Sequence, residues 1–501
     1  MVEWLTIPCY NGPMKAEDRT AGSVASRTSE ALQDGPDALR AIPSVDRVMA
    51  HPALGDALAG LPRHLVVEAV REEIASARHI VQRGEGQAPD IGTLATRAAG
   101  RAFLMAAPSL QHVINATGVV IHTNLGRAPL CPEALQAISR VAAYSNLEYD
   151  LEAGERGSRY SHAVQILRRV TGCQDALVVN NNAAALVLVL AATAVGREVV
   201  VSRGQLVEIG GGFRIPEIMQ QSGARLVEVG TTNRTYLSDY EAAITEHTAV
   251  VLRVHASNFR IIGFTTSPSV EELATLAHKH GLFMVDDVGS GALLDTTRYG
   301  LAPEPMVQAS LNAGADLVLF SGDKLLGGPQ CGIIVGRADL IAKLRKHPLT
   351  RALRVDKLTL AALEATLLHY LTGEAERAVP VWRMVATGAD ELRAKADEWA
   401  GLLARDGVPC EVVQGVSAVG GGSLPGETLP TWLVSITLDG AQAGQLAKSL
   451  RQAPTPVIAR VERGTVLLDP RTVLDEEADT LIKQVAQAYA ALSGPPSESK
   501  P

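Results

Sequence analysis

The apolar run Leu-Val-Leu-Phe at 317–320 ends in Ser321-Gly322-Asp323-Lys324-Leu325-Leu326-Gly327-Gly328-Pro329-Gln330, which sets one lysine among small residues at the end of a strand-length segment. Small flanking residues let a bulky planar ligand approach the backbone, and a closely walled amine is neutral often enough to form an imine. Lys324 therefore reads as a covalent anchor, with a surface lysine in a strand-to-turn connection as the alternative. Upstream, Leu282-Phe283-Met284-Val285 runs into Asp286-Asp287-Val288-Gly289-Ser290-Gly291. A carboxylate at the C-terminal end of a buried strand points into the crevice where open α/β sheets bind ligands. Asp287 is the first candidate and Asp286 the second, against an aspartate that caps the next helix. Further upstream, Ala176-Leu177-Val178-Val179 leads into Asn180-Asn181-Asn182-Ala183-Ala184-Ala185 and an apolar helical stretch to about Ala194. A strand, a polar turn and a small-residue helix start make an anion site from open backbone amides. Asn181, Asn182 and Ala183 would hold a phosphate there, and Ser321 either adds a hydroxyl to the same group or serves as an ordinary turn serine.

The order of these parts, phosphate turn then strand-end aspartate then lysine, is the layout of fold-type I pyridoxal-phosphate enzymes. In them the aspartate keeps the pyridine nitrogen protonated, so that the ring can accept a carbanion's electrons. The rest of the chain fits an α/β architecture. Between about Gln111 and Tyr370, strand-like runs at 176–179, 198–201, 224–229, 249–254, 282–285 and 317–320 alternate with helical patterns. That rhythm predicts a mostly parallel sheet with helices on both faces, in a large domain over 107–375. Before it, the spacing of Val48, Leu54, Leu58, Leu61, Val66, Val70, Ile74 and Ile80 predicts a small helical domain over 44–106. Residues 1–43 lack a sustained apolar period and read as disordered. Near Arg377 the pattern becomes a charged helix and then short strands at 432–438 and 457–461, predicting a smaller α/β domain over 376–493 and a disordered tail over 494–501. The Gly420-Gly421-Gly422-Ser423-Leu424-Pro425 stretch reads as a loop.

Composition narrows the function classes. A chain of 501 residues with 47% hydrophobic content can bury a large core and exceeds one average domain. Its apolar runs are short and broken by charge, and no basic-then-apolar leader opens it, which argues against a membrane span and against export. Cys9, Cys131, Cys173, Cys331 and Cys410 are scattered without metal-type pairs, as in a reduced cytoplasmic protein without structural zinc or other metal. A net charge of -8 excludes a global positive field, so any nucleic-acid partner would meet local basic patches. One such patch holds Lys343, Arg345, Lys346, His347, Arg351 and Arg354. Residues 343–346 read as a solvated helix face. Arg351 and Arg354 follow Pro348 among Leu349, Leu353 and Val355, and would converge on one oxyanion if that segment is helical.

Six strings resemble one family, the bacterial selenocysteine synthases or L-seryl-tRNA(Sec) selenium transferases. They are VINATGVVIHTNLGRAPL from Val113, LEYDLEAGERGSRYSH from Leu147, VSRGQLVEIGGGFRIPEIM from Val201, VGTTNRT from Val229, DDVGSG from Asp286 and SGDKLLGGPQCG from Ser321. The similarity runs from near Val45 to near Ala490 and is dense only between Val113 and Gly332; the first forty or so residues match nothing of the family. The resemblance implies pyridoxal 5'-phosphate as cofactor and seryl-tRNA(Sec) and selenophosphate as substrates. It implies β-elimination of water to an aminoacrylyl-tRNA followed by selenium addition, an N-terminal domain that grips tRNA, and a cytoplasmic homodecamer built from dimers, with no membrane or DNA partner. Lys324 would remove the α-proton. Asp323 would handle a proton during hydroxyl loss, or is a turn-forming aspartate. Asn258 would hold the cofactor's phenolic oxygen, or is a turn asparagine, and His255 lies near the ring or is a core histidine. Arg127, Arg351 and Arg354 would bind the phosphate of the selenium donor, or are salt-bridged scaffold arginines. Two other readings stay open: a pyridoxal-phosphate lyase for a small amino acid or phosphorylated amino sugar on the same scaffold, and a non-catalytic tRNA-binding protein that has kept the fold.

Overall fold

The computed structural model describes residues 39–84, 86–209, 212–438 and 441–493. The disorder expected of residues 1–38 and of the tail 494–501 lies outside the described residues. Residues 39–43, grouped above with that disordered start, include Ile42, which is buried in the first helical core.

The first compact unit ends at Gln111. Its described part is helical, with short helices Val45–Met49 and Gly55–Gly60 followed by α1 (Arg63–Gln82) and α2 (Ile91–Ala106). Val66, Val70 and Ile74 recur at helical spacing on α1 and share a core with Leu94 and Ala98 of α2, together with Val48 and Leu54. Asp90 starts α2 by accepting the Thr93 amide at 2.9 Å. Arg101 bonds Glu73 at 2.6 Å and Glu72 at 3.0 Å, so part of this unit's mixed charge is spent on holding α2 to α1.

The described part of the second unit contains two large sheets, besides two short ribbons that pair Tyr149–Asp150 with Glu155–Arg156 and Glu208–Ile209 with Phe213–Arg214. It opens with β1 (Ile114–Ala116) and β2 (Val119–Ile121) and continues through β3 (Asp175–Val179), β4 (Glu198–Ser202), β5 (Arg225–Val229), β6 (Thr248–Val254) and β7 (Phe283–Gly289). Then come β8 (Leu317–Ser321), β9 (Gly332–Gly336), β10 (Glu411–Gly420), β11 (Thr428–Thr437), β12 (Val457–Glu462) and β13 (Thr465–Leu468). The large sheet has the order β3-β9-β8-β7-β6-β4-β5 and is parallel except for β9, which runs against both neighbours. The mostly parallel sheet expected from the alternating runs is thus present. Its inner strand β8 is apolar from Leu317 to Phe320 because both faces are covered: Val318 and Phe320 enter one core, Leu317 and Leu319 the other.

The second sheet has the order β1-β12-β13-β11-β10-β2. Residues 114–121, which the boundary 107–375 groups with the large sheet, form its two edges, β1 beside β12 and β2 beside β10. The turn between those edge strands sits on Asp469. Gly118 there has φ +75° and leaves no room for a side chain, since a Cβ would lie 2.0 Å from Asp469 Oδ2. Asp469 is fully buried and accepts from Ser417 Oγ at 2.8 Å, Thr431 Oγ1 at 3.0 Å and the Arg471 amide at 3.0 Å. Arg471, also buried, donates to the carbonyls of Met384 and Pro430, each at 2.6 Å. Charges out of water persist only when each is countered and hydrogen-bonded. Asp469→Ala strips the counter-charge from this hub and is expected to lower unfolding free energy by about 3 kcal/mol or more. A urea-denaturation midpoint indistinguishable from wild type would contradict that.

Candidate active site

β9 runs against both β3 and β8, so β3, β7 and β8 all point the same way and end on one edge of the sheet. That edge is where open parallel sheets bind ligands, and the three segments singled out in the sequence meet there around a cavity of about 240 Å³. Asn181, Asn182 and Ala183 line it from the turn after β3, Asp287 from β7, and Ser321, Asp323 and Lys324 from the end of β8. Arg127 lines it from the segment after β2.

Each side chain is held for an identifiable reason. Asn181 is the N-cap of α3 (Asn182–Thr193), accepting the Ala184 amide at 2.9 Å, which leaves the first-turn amides of Asn182 and Ala183 without an intrahelical acceptor. The Asn182 side chain donates to Asp287 Oδ1 at 2.8 Å, while its own Oδ1 is buried without a partner. Burial pushes the Asp287 carboxyl up to about 6, against the Asn182 hydrogen bond and the Lys324 charge, which both pull it down. Asp286 is engaged elsewhere, fully buried against Arg253 at 2.8 Å.

Lys324 is 7% exposed. Burial, and next the positive charge of Arg127, lower its pKa, with Asp287, Asp323 and Glu304 opposing. Arg127 adopts φ 68°, an uncommon conformation for a side-chain-bearing residue, and its Nη1 lies 2.8 Å from Asp323 Oδ2. The Ala128 amide donates to the Asp323 carbonyl at 3.2 Å, so two bonds pin the Arg127 segment to the lysine turn. On another side the Lys324 tip rests on bare backbone. A Cβ on Gly422, itself at φ +79°, would stand 2.8 Å from Lys324 Nζ and 2.9 Å from Cε. The loop between β10 and β11, read in the sequence only as a loop, is thus a wall of the lysine site. Tyr370 supports the same turn, donating to the Leu326 carbonyl at 2.7 Å and accepting from Trp382 Nε1 at 2.6 Å. No local pattern ties Gly422 or Tyr370 to Lys324, because each meets it only through the tertiary fold.

Four candidates lie elsewhere. Asn258 is exposed and donates to the Glu208 carbonyl at 2.8 Å. His255 lines a neighbouring cavity, with Nε2 3.4 Å from Oε1 of Glu304, a carboxylate flanked by prolines that carries no sequence signal of its own. Arg351 and Arg354 are exposed and outside the Lys324 cavity. The helix that would have aligned them spans only Leu349–Ala352; beyond it the Leu353 carbonyl takes the Asn180 amide at 2.9 Å and Arg354 bridges to Val179. These bonds end the helix and set Arg354 beside the strand that leads into the Asn181 turn. In the basic patch, Arg345 forks onto Asp175 with two bonds of 2.7 Å rather than facing solvent. Away from the site, ligand-type atoms of Cys131, Glu133 and His369 come within 4.8 Å of one another, with His369 Nε2 3.2 Å from Glu133 Oε2 as in an ion pair.

This sheet order, with a capped helix start, a strand-end aspartate and a buried lysine at one edge, is the fold of the type I pyridoxal-phosphate enzymes. A solved D-glucosaminate-6-phosphate ammonia-lyase superposes with a TM-score of 0.54 at 22% identity, over 77% of this chain and 98% of that one. The family model described as L-seryl-tRNA selenium transferase matches residues 113–474, and one described as selenocysteine synthase N terminal matches residues 39–78. An L-seryl-tRNA(Sec) selenium transferase of Carboxydothermus hydrogenoformans is 48% identical over 448 residues, covering 88% of this chain and 96% of the relative. One from Solidesulfovibrio magneticus is 50% identical over 461 residues, covering 90% and 98%. The chain belongs to the L-seryl-tRNA selenium transferase family.

Arg127→Ala removes a cation that disfavours protonated Lys324 and frees the Asp323 carboxylate, which favours it. Both changes raise the lysine pKa. The pH midpoint for modification of Lys324 by an amine-selective reagent, followed by peptide mass spectrometry, should move to higher pH; an unchanged or lower midpoint would overturn the electrostatic account.

Proposed function

We propose that this chain binds pyridoxal 5'-phosphate through Lys324 and converts seryl-tRNA(Sec) to selenocysteinyl-tRNA(Sec), with selenophosphate as the selenium donor. The observation that carries the reading is a buried, pKa-lowered lysine facing a strand-end aspartate and an open helix start, in a chain 48% and 50% identical over nearly their whole length to transferases of that name. The likeness to the ammonia-lyase extends to the fold alone.

The residues present fit the cofactor. First-turn amides of α3 and the Ser321 hydroxyl suit a phosphate, Asp287 suits a ring nitrogen, and the unpartnered Asn182 Oδ1 marks polar capacity left open in the same cavity. When bound, the cofactor supplies an electron sink for the carbanion formed at the substrate's α-carbon. Lys324, its ammonium form disfavoured by burial and by Arg127, takes the α-proton of the seryl group. Asp287 is anionic above about pH 6 and oriented by Asn182, which lets it hold a protonated ring nitrogen. Asp323, fixed by Arg127, moves the proton that leaves with the β-hydroxyl, and Arg127 also offers a guanidinium to the donor's phosphate. Arg351 and Arg354 add positive charge near the phosphate turn rather than inside the cavity.

The first unit grips the tRNA; the match of residues 39–78 to the family's N-terminal model supports this. The protein works in the cytoplasm as a homodecamer built from dimers. Large exposed apolar side chains of the second unit, Ile262 at 86% and Phe264 at 84%, support burial against another copy. Among the described residues, no helix is long and apolar enough to cross a membrane.

With pyridoxal phosphate, seryl-tRNA(Sec) and selenophosphate, the wild type should yield selenocysteinyl-tRNA identified by mass, and Lys324→Ala should be about 1,000-fold slower or worse. Wild-type protein that holds the cofactor yet leaves seryl-tRNA(Sec) unchanged would refute the reading.

A further inference from the structure

A second cavity, about 730 Å³, adjoins the lysine site and shares no lining residue with it. Its inner end lies close to the Lys324 amine by two routes. Leu424, on its wall, is two residues beyond Gly422, where an added Cβ would stand 2.8 Å from Lys324 Nζ. Glu304, on its floor, is near enough for its charge to act on Lys324. This volume falls in the range of small-molecule sites and is about three times that of the Lys324 cavity.

Two buried polar atoms at that floor lack hydrogen-bond partners. Glu304, 7% exposed, has Oε1 unsatisfied, and His255 has Nε2 unsatisfied, the two being 3.4 Å apart. Leaving such groups unpaired is costly, so the pair is a place for a ligand hydroxyl that can both donate and accept. The walls combine apolar surface from Phe259, Ile261 and Leu424 with neutral polar groups such as Thr232 and Gln205. The two lining arginines are already matched, Arg253 with Asp286 at 2.8 Å and Arg260 with Glu427 at 2.6 Å. A near-neutral cavity with an apolar side and hydroxyl-binding groups suits a nucleoside better than a free phosphate.

We infer that this cavity holds the 3'-terminal nucleoside of the aminoacyl-RNA, its base against Phe259 and Ile261 and its ribose 2'-hydroxyl beside the Glu304–His255 pair. The inference rests on the proposed seryl-tRNA substrate and adds where its last nucleoside sits. The tether fits: five bonds separate the seryl α-carbon from the ribose 2'-oxygen when serine is esterified at the 3' position, a span of roughly 6 Å at most. With the α-carbon beside Lys324, the 2'-hydroxyl must fall close by, and on the side of the second cavity the Glu304–His255 pair offers polar atoms without hydrogen-bond partners. The sequence left His255 either near the cofactor ring or as a core histidine; here its role is to position the substrate.

The test compares kcat/KM for two substrates, seryl-tRNA(Sec) ending in adenosine and the same RNA ending in 2'-deoxyadenosine, with wild type, Glu304→Ala and the milder Glu304→Gln. Wild type should favour the ribose form by about 10-fold or more. Glu304→Ala should lose most of that preference, with Glu304→Gln intermediate and standing in if the alanine variant does not fold. Phe259→Ala should slow both substrates alike. Wild type that treats the two substrates equally, or a Glu304→Ala variant that keeps the full preference, would overturn the inference while leaving the activity in place. Absence of any turnover of the ordinary substrate by cofactor-loaded wild type would instead remove the substrate reading on which the inference rests.

Discussion

An amine with an ordinary pKa above ten is almost wholly protonated at neutral pH, and water is what keeps it so. Everything at this site depends on denying Lys324 that water. Its place at the end of a strand buried on both faces does so, and the bare backbone of Gly422 leaves room for its tip. Burial and the positive charge of Arg127 disfavour the ammonium form without consuming the lone pair that chemistry requires. The carboxylates Asp287 and Asp323 pull the other way. The amine's state is therefore set by a balance of opposed groups.

That balance is assembled by topology. Reversing β9 alone lets β3, β7 and β8 end together, so the Asn181 turn, Asp287 and Lys324 converge although they are far apart in the chain. The second sheet brings the fourth wall. Its β10–β11 loop reaches the lysine, and its edge strands β1 and β2 lead into the segment that carries Arg127. The buried Asp469 hub under Gly118 joins those edge strands to β10, β11 and the stretch after β13, so it fixes both contacts from a distance. The strain at Arg127 is held in place because its side chain and the following amide are both bonded to Asp323.

Features with a local cause were legible in the sequence. Apolar runs covered on both faces predict a parallel sheet, a polar turn before small residues predicts an anion-ready helix start, and Lys324 and Asp287 stand at strand ends where such sheets act. Features made only by tertiary contact were not. Gly422 belongs to a glycine-rich loop that could face anything, Tyr370 lies inside an apolar helix, and Glu304 sits between prolines without a motif. Arg351 and Arg354 show the converse error: their three-residue spacing suggests one helical face, but the chain gives up the helix to bond Asn180 and Val179. His255 and Asn258 lie close together after β6, yet neither lines the cavity that Asp287 and Lys324 share.

The central claim is the proposal that Lys324 carries the cofactor, because among the described lysines it alone combines burial, a lowered pKa and a facing carboxylate. Borohydride reduction of the pyridoxal-phosphate-loaded protein, followed by peptide mass mapping, tests it directly. The pyridoxyl label should fall on the peptide containing Lys324 in about one-to-one stoichiometry with the chain. A label distributed over Lys343, Lys346 and other surface lysines, with Lys324 unmodified, would contradict the account.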